Sequence, residues 1–356
     1  MASAAAARAR RRQLLHALLA VRFASLPALN TTKLVIAFCC NHLCFVPEDT
    51  TLHRIAPTIS VVIPSYNYGR YLNKAILSVL DQEYPHKQLI VIDGGSSDNS
   101  LEVLQRLAPR LDVWVSEPDR GQTDALNKGF AHVRGEVFVW LNADDAFCPG
   151  AFAAVARLWQ QGYDLIGGRC RNIDLVNNNE EIVASRPTNF WRYLDFLSSG
   201  FRGFLPQPAV FASTAMARQA FPLTVGLRRA MDQQYFLRLL RQRPRQVCSD
   251  QVYVDFLYHG DNLTTSEVPL LPELARVTAA EITSLPWPWR PLQQQRLAAV
   301  LSLHDWLFEG RPRLRSQLAA ALSKPVLLLH PLYWRLLAAR LRDGLRPRRP
   351  RPLPTP

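Results

Sequence analysis

From residue 57 onward the chain alternates between short apolar runs and amphipathic segments, and this alternation restricts the fold more than any other feature. Buried strands are predicted for "ISVVIPS", "QLIVID", "LDVWVSE", "EVFVWLN" and "YDLIGG". Helical spacing of apolar residues occurs between them, in "YLNKAILSVLDQ", "SLEVLQRLAPRL", "QTDALNKGFAHV" and "PGAFAAVARLWQQ". Strands that alternate with helices in this way predict an α/β fold with a mostly parallel central sheet flanked by helices.

Polar clusters follow four of the predicted strands. They occupy residues 64–67, 93–96, 116–119 and 142–145. In open parallel sheets, ligands bind beyond the carboxyl ends of the strands. One such cluster alone would be an ordinary solvated loop, but four clusters at one edge of a sheet predict a binding site.

The fourth cluster ends a buried strand on two adjacent carboxylates, Asp144 and Asp145. Adjacent acids repel each other, so they require solvent, a helix N-terminus or a divalent cation. The chain has no G-x-G-x-x-G after its first strand and no G-x-x-x-x-G-K-[ST] motif, so a bound diphosphate would need a bridging Mg²⁺ or Mn²⁺. Asp93 precedes two glycines and can accept a hydrogen bond from a base N–H. Together these residues suggest a nucleoside diphosphate with its metal.

The same segments carry a family resemblance. In order and spacing, "SVVIPSYN", "VIDGGSSDNS" and "SEPDRGQTDALNKGFAHVRGEVFVWLNADD" resemble the nucleotide-sugar domain of family 2 glycosyltransferases, which adopt the GT-A fold. The resemblance continues more weakly through "QPAVF", "AMDQQYFLRLL" and "YHGDNLT". It leaves both ends of the chain uncovered.

The resemblance implies a pocket for a nucleotide-sugar donor. Pro64, Tyr66 and Asn67 would line the base and ribose, with Tyr66 packing on the nucleoside. Asp93 would hydrogen-bond the base, and Asp144 would also approach the ribose or the sugar. Two alternatives remain open at this point, because Tyr66 could simply cover the sheet edge and Asp93 could simply form the Gly-Gly turn.

The resemblance also implies a metal site and a catalytic base. Asp144 and Asp145 match the acidic motif of the family and, with His259, would hold Mg²⁺ or Mn²⁺. Asp232 matches the position of the catalytic base. Without the resemblance, Asp232 would be interpreted as an acid that stabilises the first turn of a helix, and His259 as a surface histidine.

Two positions depart from the pattern of the family. Gly94 supplies no second carboxylate beside Asp93, which leaves the base unidentified. Asn142 stands where other members carry a third Asp, and its carbonyl can bind a metal but carries no charge. Two acids and one histidine remain, so metal binding is still expected.

The expected activity is a metal-dependent, inverting transfer of a sugar from a nucleotide-diphosphate donor to a saccharide or lipid-linked acceptor, in polysaccharide or glycolipid biosynthesis. Asp232 would accept the proton of the attacking hydroxyl. Two other classes are considered: a nucleotide-diphosphate-binding protein without transferase activity, and a nucleic-acid binder that uses the basic ends of the chain.

The distribution of charge argues against nucleic acid. The net charge is +13, yet residues 61–289 contain slightly more acids than bases, whereas residues 290–356 contain thirteen Lys or Arg and only three acids. A nucleic-acid binder would more often carry positive charge across its functional face. Basic ends with apolar neighbours fit a peripheral contact with an anionic membrane better. The cysteines form no standard zinc pattern and favour a reducing compartment, so the expected location is cytoplasmic, at the inner face of the membrane.

Four segments are predicted along the chain. They are a basic and apolar extension that is poorly ordered or surface-associated (1–56), a GT-A glycosyltransferase domain (57–265), a helical C-terminal extension (266–345) and a disordered Pro/Arg tail (346–356). Within the C-terminal extension, residues 266–320 are expected to pack on the core, and residues 325–345 are expected to contact a membrane.

Overall fold

The computed structural model describes residues 36–39, 42–45, 54–194, 205–262, 270–286, 289–290 and 293–294. The chain divides into two compact units, residues 1–51 and 52–356. In the first unit, strand β1 (Ile36–Cys39) pairs antiparallel with strand β2 (His42–Phe45). This hairpin falls within the predicted extension 1–56, and the boundary at residue 56 stays a prediction.

In the described part of the second unit, nine strands form one mixed sheet. They are β3 (Ile59–Ser65), β4 (Lys87–Asp93), β5 (Val113–Ser116), β6 (Val137–Trp140), β7 (Ala146–Phe147), β8 (Leu165–Asp174), β9 (Asn179–Ala184), β10 (Val210–Ser213) and β11 (Gln246–Tyr258). Their order across the sheet is β5-β4-β3-β6-β10-β8-β11-β7, and β9 pairs with β8. The first four strands in this order run parallel to one another, as the sequence predicted.

Beyond β6 the sheet becomes mixed. Strand β10 runs antiparallel to both of its neighbours, β6 and β8, while β11 runs parallel to β8. The α/β class is therefore confirmed, and the continuous parallel arrangement is confined to β5, β4, β3 and β6. The alternation of elements could not predict this change, because β10 has only four residues and its direction depends on a long-range pairing.

Helices cover both faces of the sheet. Those described are α1 (Gly69–Leu80), α2 (Ser100–Leu107), α3 (Gln122–Ala131), α4 (Ala151–Gln160), α5 (Phe190–Leu194), α6 (Thr214–Ala220), α7 (Met231–Arg241) and α8 (Leu270–Thr283). Successive residues of a strand point to opposite faces. Val61 and Ile63 accordingly pack in one core cluster with α1, α2 and α4, whereas Val62 packs in the other with α3, α6 and α7.

Helix α8 belongs to the predicted C-terminal extension and packs into the core. Its Leu274, Val277 and Ile282 are buried in the same cluster as the apolar side chains of α7. Among the residues that the structure describes, no helix is long and apolar enough to cross a membrane. The stretch 325–345 and the tail 346–356 lie outside the described residues.

Candidate active site

Three strand ends of the parallel half are aligned at one edge of the sheet. Ser65, Asp93 and Ser116 are paired in register at the ends of β3, β4 and β5. Strand β6 ends at Trp140, and one residue separates it from the polar cluster 142–145. All four predicted polar clusters therefore follow parallel strands at their carboxyl ends, where ligands of α/β sheets bind.

The loop after β3 exposes an aromatic ring. Pro64 is buried within the strand, whereas Tyr66 is 58% exposed. Asn67 has a φ of 57°, which Asn tolerates better than most residues. The backbone N–H of Asn67 donates to Ser96 Oγ at 2.7 Å, and its Oδ1 accepts from Ser97 N–H at 2.8 Å. Asn67 thus joins two loops, and the Tyr66 ring remains open to a flat ligand.

Asp93 is fully buried and bonded within the protein. Its Oδ2 accepts from the N–H groups of Gly95 (3.2 Å) and Ser96 (2.9 Å) and from Ser116 Oγ (2.7 Å), while Oδ1 accepts from Ser96 Oγ at 2.5 Å. Three of these bonds fall on Oδ2 and one on Oδ1. They correspond to the alternative in which Asp93 forms the Gly-Gly turn. Because Asp93 is fully buried, a hydrogen bond to a base would require movement of this turn, and it stays a prediction.

A carboxylate from the neighbouring loop lies over Gly94. A Cβ atom at this glycine would be 2.7 Å from Oδ2 of Asp119, so no larger residue fits without movement of that side chain. The other oxygen of Asp119 accepts from the N–H of Gly121 at 2.7 Å. The space where family members often carry a second acid is therefore filled by Asp119. The sequence analysis identified the polar cluster 116–119, which contains Asp119. Nothing in the sequence indicated that Asp119 lies over Gly94.

The two adjacent acids after β6 face different surroundings. Asp144 Oδ2 lies 3.2 Å from His259 Nε2 and accepts from Asn262 Nδ2 at 2.9 Å. Asp145 is 1% exposed, and its two oxygens accept from Leu257 N–H (3.2 Å) and Asn142 Nδ2 (3.1 Å). Asp144 therefore contacts His259 and Asn262, which follow β11, whereas Asp145 is directed into the protein interior.

His259 lies just beyond β11 and is fixed from two sides. The ring of Tyr71, in α1, stacks on the imidazole with 4.5 Å between centroids. Asn262 Oδ1 accepts from the backbone N–H of His259 at 2.8 Å. Asn262 thus contacts both His259 and Asp144 and is itself buried. The sequence analysis quoted the segment that contains Asn262 but assigned it no role.

Burial makes this acid pair electrostatically unfavourable. Desolvation raises the pKa of Asp144, against the opposing effect of its hydrogen bond from His259. Desolvation and the charge of Asp144 together raise the pKa of Asp145 well above its usual range. Buried acids whose charged forms are disfavoured attract a proton or a cation.

The residues at this edge fit a divalent cation that is shared with a ligand. Within the described ranges, no three His, Cys, Asp or Glu residues are grouped so that they could hold a metal ion by themselves. Mg²⁺, however, is usually bound through one or two carboxylates together with substrate phosphates, and not by a cage of protein ligands. Asp144 and His259 would be the nearest ligands, and Asp145, whose oxygens are already bonded, would add negative charge behind them.

Asp232 lies in the first turn of α7, at the same edge of the sheet. Tyr235, one turn later, packs against Trp140 at the end of β6, with 4.8 Å between ring centroids. Just after the C-terminal end of α7, Gln242 Nε2 donates to the carbonyl of Met216 in α6. Helix α6 directly follows β10, and the last residue of β10 pairs with the first residue of β6. Helix α7 therefore runs opposite to β6, and its first turn lies towards the loop that carries Asp144.

The environment of Asp232 suits a base. Burial raises its pKa from the ordinary value to about 6, although the residue keeps partial exposure. Its Oδ1 accepts from the N–H of Gln233 at 2.7 Å, and backbone hydrogen bonds partly offset the effect of burial on the pKa. A carboxylate with this pKa can accept a proton near neutral pH.

The fold is that of a GT-A glycosyltransferase. The structure is similar to that of S. aureus TarS 1-349 in complex with UDP-GlcNAc, with a TM-score of 0.54 and 18% sequence identity over 70% of this chain and 73% of that one. At this identity the similarity concerns the fold alone.

The chain belongs to glycosyltransferase family 2. The family model "Glycosyl transferase family 2" matches residues 60–221. An uncharacterised glycosyltransferase of Mycobacterium tuberculosis is 31% identical over 196 residues, which are 51% of this chain and 69% of the relative. One from Nostoc sp. is 36% identical over 133 residues, which are 36% of this chain and only 41% of the relative. TuaG of Bacillus subtilis, named a putative teichuronic acid biosynthesis glycosyltransferase, is 35% identical over 92 residues, which are 25% of this chain and 36% of the relative.

Proposed function

We propose that this protein is a metal-dependent, inverting glycosyltransferase that moves a sugar from a nucleotide-diphosphate donor to an acceptor hydroxyl in polysaccharide or glycolipid biosynthesis. The observation that carries the proposal is the contact of 3.2 Å between Asp144 and His259 in the loops that follow β6 and β11. Asp232, in the first turn of α7 and with a pKa raised to about 6, supports the assignment of a base. Family membership and the name of the TuaG relative support a saccharide acceptor.

In this proposal the donor lies across the ends of β3, β4 and β6. The exposed ring of Tyr66 packs on the base, and Pro64 and Asn67 line the nucleoside. Asp93 shapes the base pocket through its turn. Asp144 and His259 hold Mg²⁺ or Mn²⁺, which when bound supplies the positive charge that stabilises the leaving diphosphate.

Asp232 acts on the acceptor. An acceptor hydroxyl is a poor nucleophile until its proton is removed. A partly buried carboxylate with a pKa of about 6 is ionised at neutral pH yet basic enough to accept that proton. The hydroxyl oxygen forms a bond to the anomeric carbon on the face opposite the diphosphate while the bond to the diphosphate oxygen breaks. A single displacement inverts the anomeric configuration and requires no covalent intermediate on the protein.

A second candidate is a nucleotide-diphosphate-binding protein without transferase activity. Two observations favour it: Asp145 has both oxygens bonded within the protein, and Asn142 carries no charge. Such a protein would bind the donor and turn it over no faster than an Asp232→Asn variant does.

The test begins with a panel of nucleotide sugars, each with and without Mg²⁺ or Mn²⁺. A ligand that binds only the native state raises Tm, so the donor is recognised as the one whose stabilisation depends on the metal. Release of nucleoside diphosphate is then followed with saccharide acceptors or with water. Metal-dependent stabilisation with release that Asp232→Asn abolishes supports a transferase. Stabilisation with no release supports the second candidate, and the lack of stabilisation by any donor would refute both.

We also propose that the stretch 325–345 contacts the cytoplasmic face of a membrane, where a lipid-linked acceptor would be located. Its Trp334 and the neighbouring Arg residues support an interfacial position. Flotation with anionic vesicles tests this idea. Full retention of binding after deletion of residues 325–356 would refute it.

A further inference from the structure

One carboxylate from α8 binds the backbone that leads into α7. Glu273 Oε2 accepts hydrogen bonds from the N–H groups of Arg228 (3.0 Å), Arg229 (2.8 Å) and Ala230 (3.1 Å). Its Oε1 also accepts from the N–H of Arg228 at 3.0 Å. Three successive backbone donors thus converge on one side chain that lies 43 to 45 positions later in the chain.

The start of α7 has no side-chain cap, and Glu273 binds the N–H groups of the N-cap residue and of the two residues before it. Ala230 is the N-cap residue of α7, and no side chain caps the helix at that position. Alanine is a poor N-cap because it has no acceptor. A carboxylate is favoured near a helix N-terminus and in a concave group of N–H donors, and its hydrogen bonds are charge-assisted. Glu273 therefore fixes the last three residues before the helix that begins with Met231 and carries Asp232.

The earlier part of the same connection is fixed from a different helix. In α3, Thr123 Oγ1 donates to the carbonyl of Leu227 at 2.7 Å. Asn127 exchanges two hydrogen bonds with the backbone of Leu223, both of 2.8 Å. Helix α3 therefore anchors residues 223–227, and among the side chains that the structure describes, Glu273 anchors residues 228–230.

We infer that Glu273 is a positioning residue for Asp232: by binding the N–H groups of residues 228–230, it sets where α7 begins and hence where the base meets the acceptor. This inference rests on the proposed function. Glu273 lies outside the segment 60–221 that the family model matches, so the C-terminal extension contributes directly to the geometry of the site. The base must lie within hydrogen-bond reach of the proton that it accepts, so a small displacement of α7 slows the chemical step without removing the donor site.

The chain offers a matched control on the same helix. Glu281 also bridges α8 and α7, through Arg241 at 2.8 Å and Arg238 at 3.5 Å. These contacts lie in the second half of α7, away from Asp232. Glu281→Gln therefore weakens the packing of α8 on α7 but leaves the start of α7 bound.

The experiment compares Glu273→Ala, Glu273→Gln and Glu281→Gln with the wild-type protein in three measurements. They are kcat for release of nucleoside diphosphate, the Kd of the donor identified by metal-dependent stabilisation, and hydrogen exchange of the amides of residues 228–230. Glu273→Gln keeps the size of the side chain but removes its charge, so it remains informative if Glu273→Ala does not fold.

We expect Glu273→Ala to lower kcat by about 10- to 100-fold, as a misplaced catalytic group does. The kcat of Glu273→Gln is expected to lie between those of Glu273→Ala and the wild type. Both variants are expected to retain the wild-type Kd for the donor, and the amides of residues 228–230 are expected to exchange faster in both. Glu281→Gln should keep the wild-type kcat and the wild-type rate of amide hydrogen exchange at residues 228–230. Wild-type kcat in both Glu273 variants, or an equal loss in Glu281→Gln, overturns the inference while the proposed function stands. A wild-type protein that turns over no donor refutes the proposed function and, with it, the positioning role.

Discussion

Nε2 of His259 lies 3.2 Å from Oδ2 of Asp144, although 115 positions separate the two residues in the chain. Asp144 follows β6, and His259 follows β11, which is not adjacent to β6 in the sheet. Asn262 donates to the same oxygen of Asp144 and accepts from the backbone N–H of His259. The relative position of the acid and the histidine therefore depends on a third residue, Asn262, which contacts both of them.

Replacement of Asn262 by Ala is expected to weaken metal-dependent binding of the donor nucleotide. The substitution removes one hydrogen bond to a carboxylate and frees the backbone of His259. Hydrogen bonds to charged groups contribute about 1.5–3 kcal/mol, so Kd should rise about 10- to 100-fold. Isothermal titration with the nucleoside diphosphate and Mn²⁺ measures the change.

Asn177→Ala is the control for this prediction. Asn177 also donates to a carboxylate, at 2.8 Å from Asp174 Oδ2, but it does so in an exposed turn between β8 and β9. This variant should keep the wild-type Kd. An Asn262→Ala protein whose metal-dependent Kd equals that of the control would show that Asn262 has no part in the site.

The sequence alone was sufficient to predict those parts of the site that depend on the local pattern of apolar residues. Strands β3, β4 and β6 are apolar runs, and a parallel sheet brings their carboxyl ends to one edge whatever the rest of the chain does. The positions of Pro64, Asp93 and Asp144 at that edge follow from these runs alone. Their proposed roles came from the family resemblance and still require the measurements described here.

The long-range contacts could not be predicted in the same way. Asp119 lies over Gly94, and Glu273 binds the backbone before α7, because loops and helices distant in sequence pack together. An acid in a loop and an acid in a helix have no local pattern that distinguishes them from solvated residues. The same limit applies to Asn262, whose partners follow two different strands.

The two adjacent acids are expected to differ in their effect on donor binding. Asp144→Asn should remove most of the metal dependence, because Asp144 adjoins His259 and would supply the charged oxygen to the ion. Asp145→Asn should weaken metal-dependent binding less, since its oxygens are held by Leu257 and Asn142. Titration of Mn²⁺ at fixed nucleotide concentration separates the two effects. A Mn²⁺ dependence in Asp144→Asn that matches the wild type would exclude Asp144 as a ligand.

Asp232→Asn is expected to lower kcat by about 10²- to 10⁴-fold, the usual contribution of a general base, while the donor Kd is retained. In the wild-type protein, the base must be deprotonated, so activity should rise with pH through about 6 and then level off. Stopped assays of nucleotide release between pH 5 and 8 give this profile. A flat profile, or a variant with wild-type kcat, would assign the base to another residue.

The raised pKa of Asp232 also predicts how stability depends on pH. The folded-state pKa of about 6 exceeds the ordinary Asp value, so between about pH 4 and 6 the folded protein holds the proton more tightly than the unfolded chain, and stability falls as pH rises. The resulting penalty is complete above pH 6, and Asp232→Asn should remove it. The variant should therefore exceed the wild type by about 1–3 kcal/mol in free energy of unfolding at pH 7.5 and lose that advantage near pH 4. Denaturant unfolding at the two pH values measures the difference.

Asp174→Asn is the control. Hydrogen bonds from Asn177 and from the turn backbone lower the pKa of Asp174, so its replacement should bring no gain at pH 7.5. A gain for Asp232→Asn that is equal at both pH values would mean that the charge of Asp232 is not its cause.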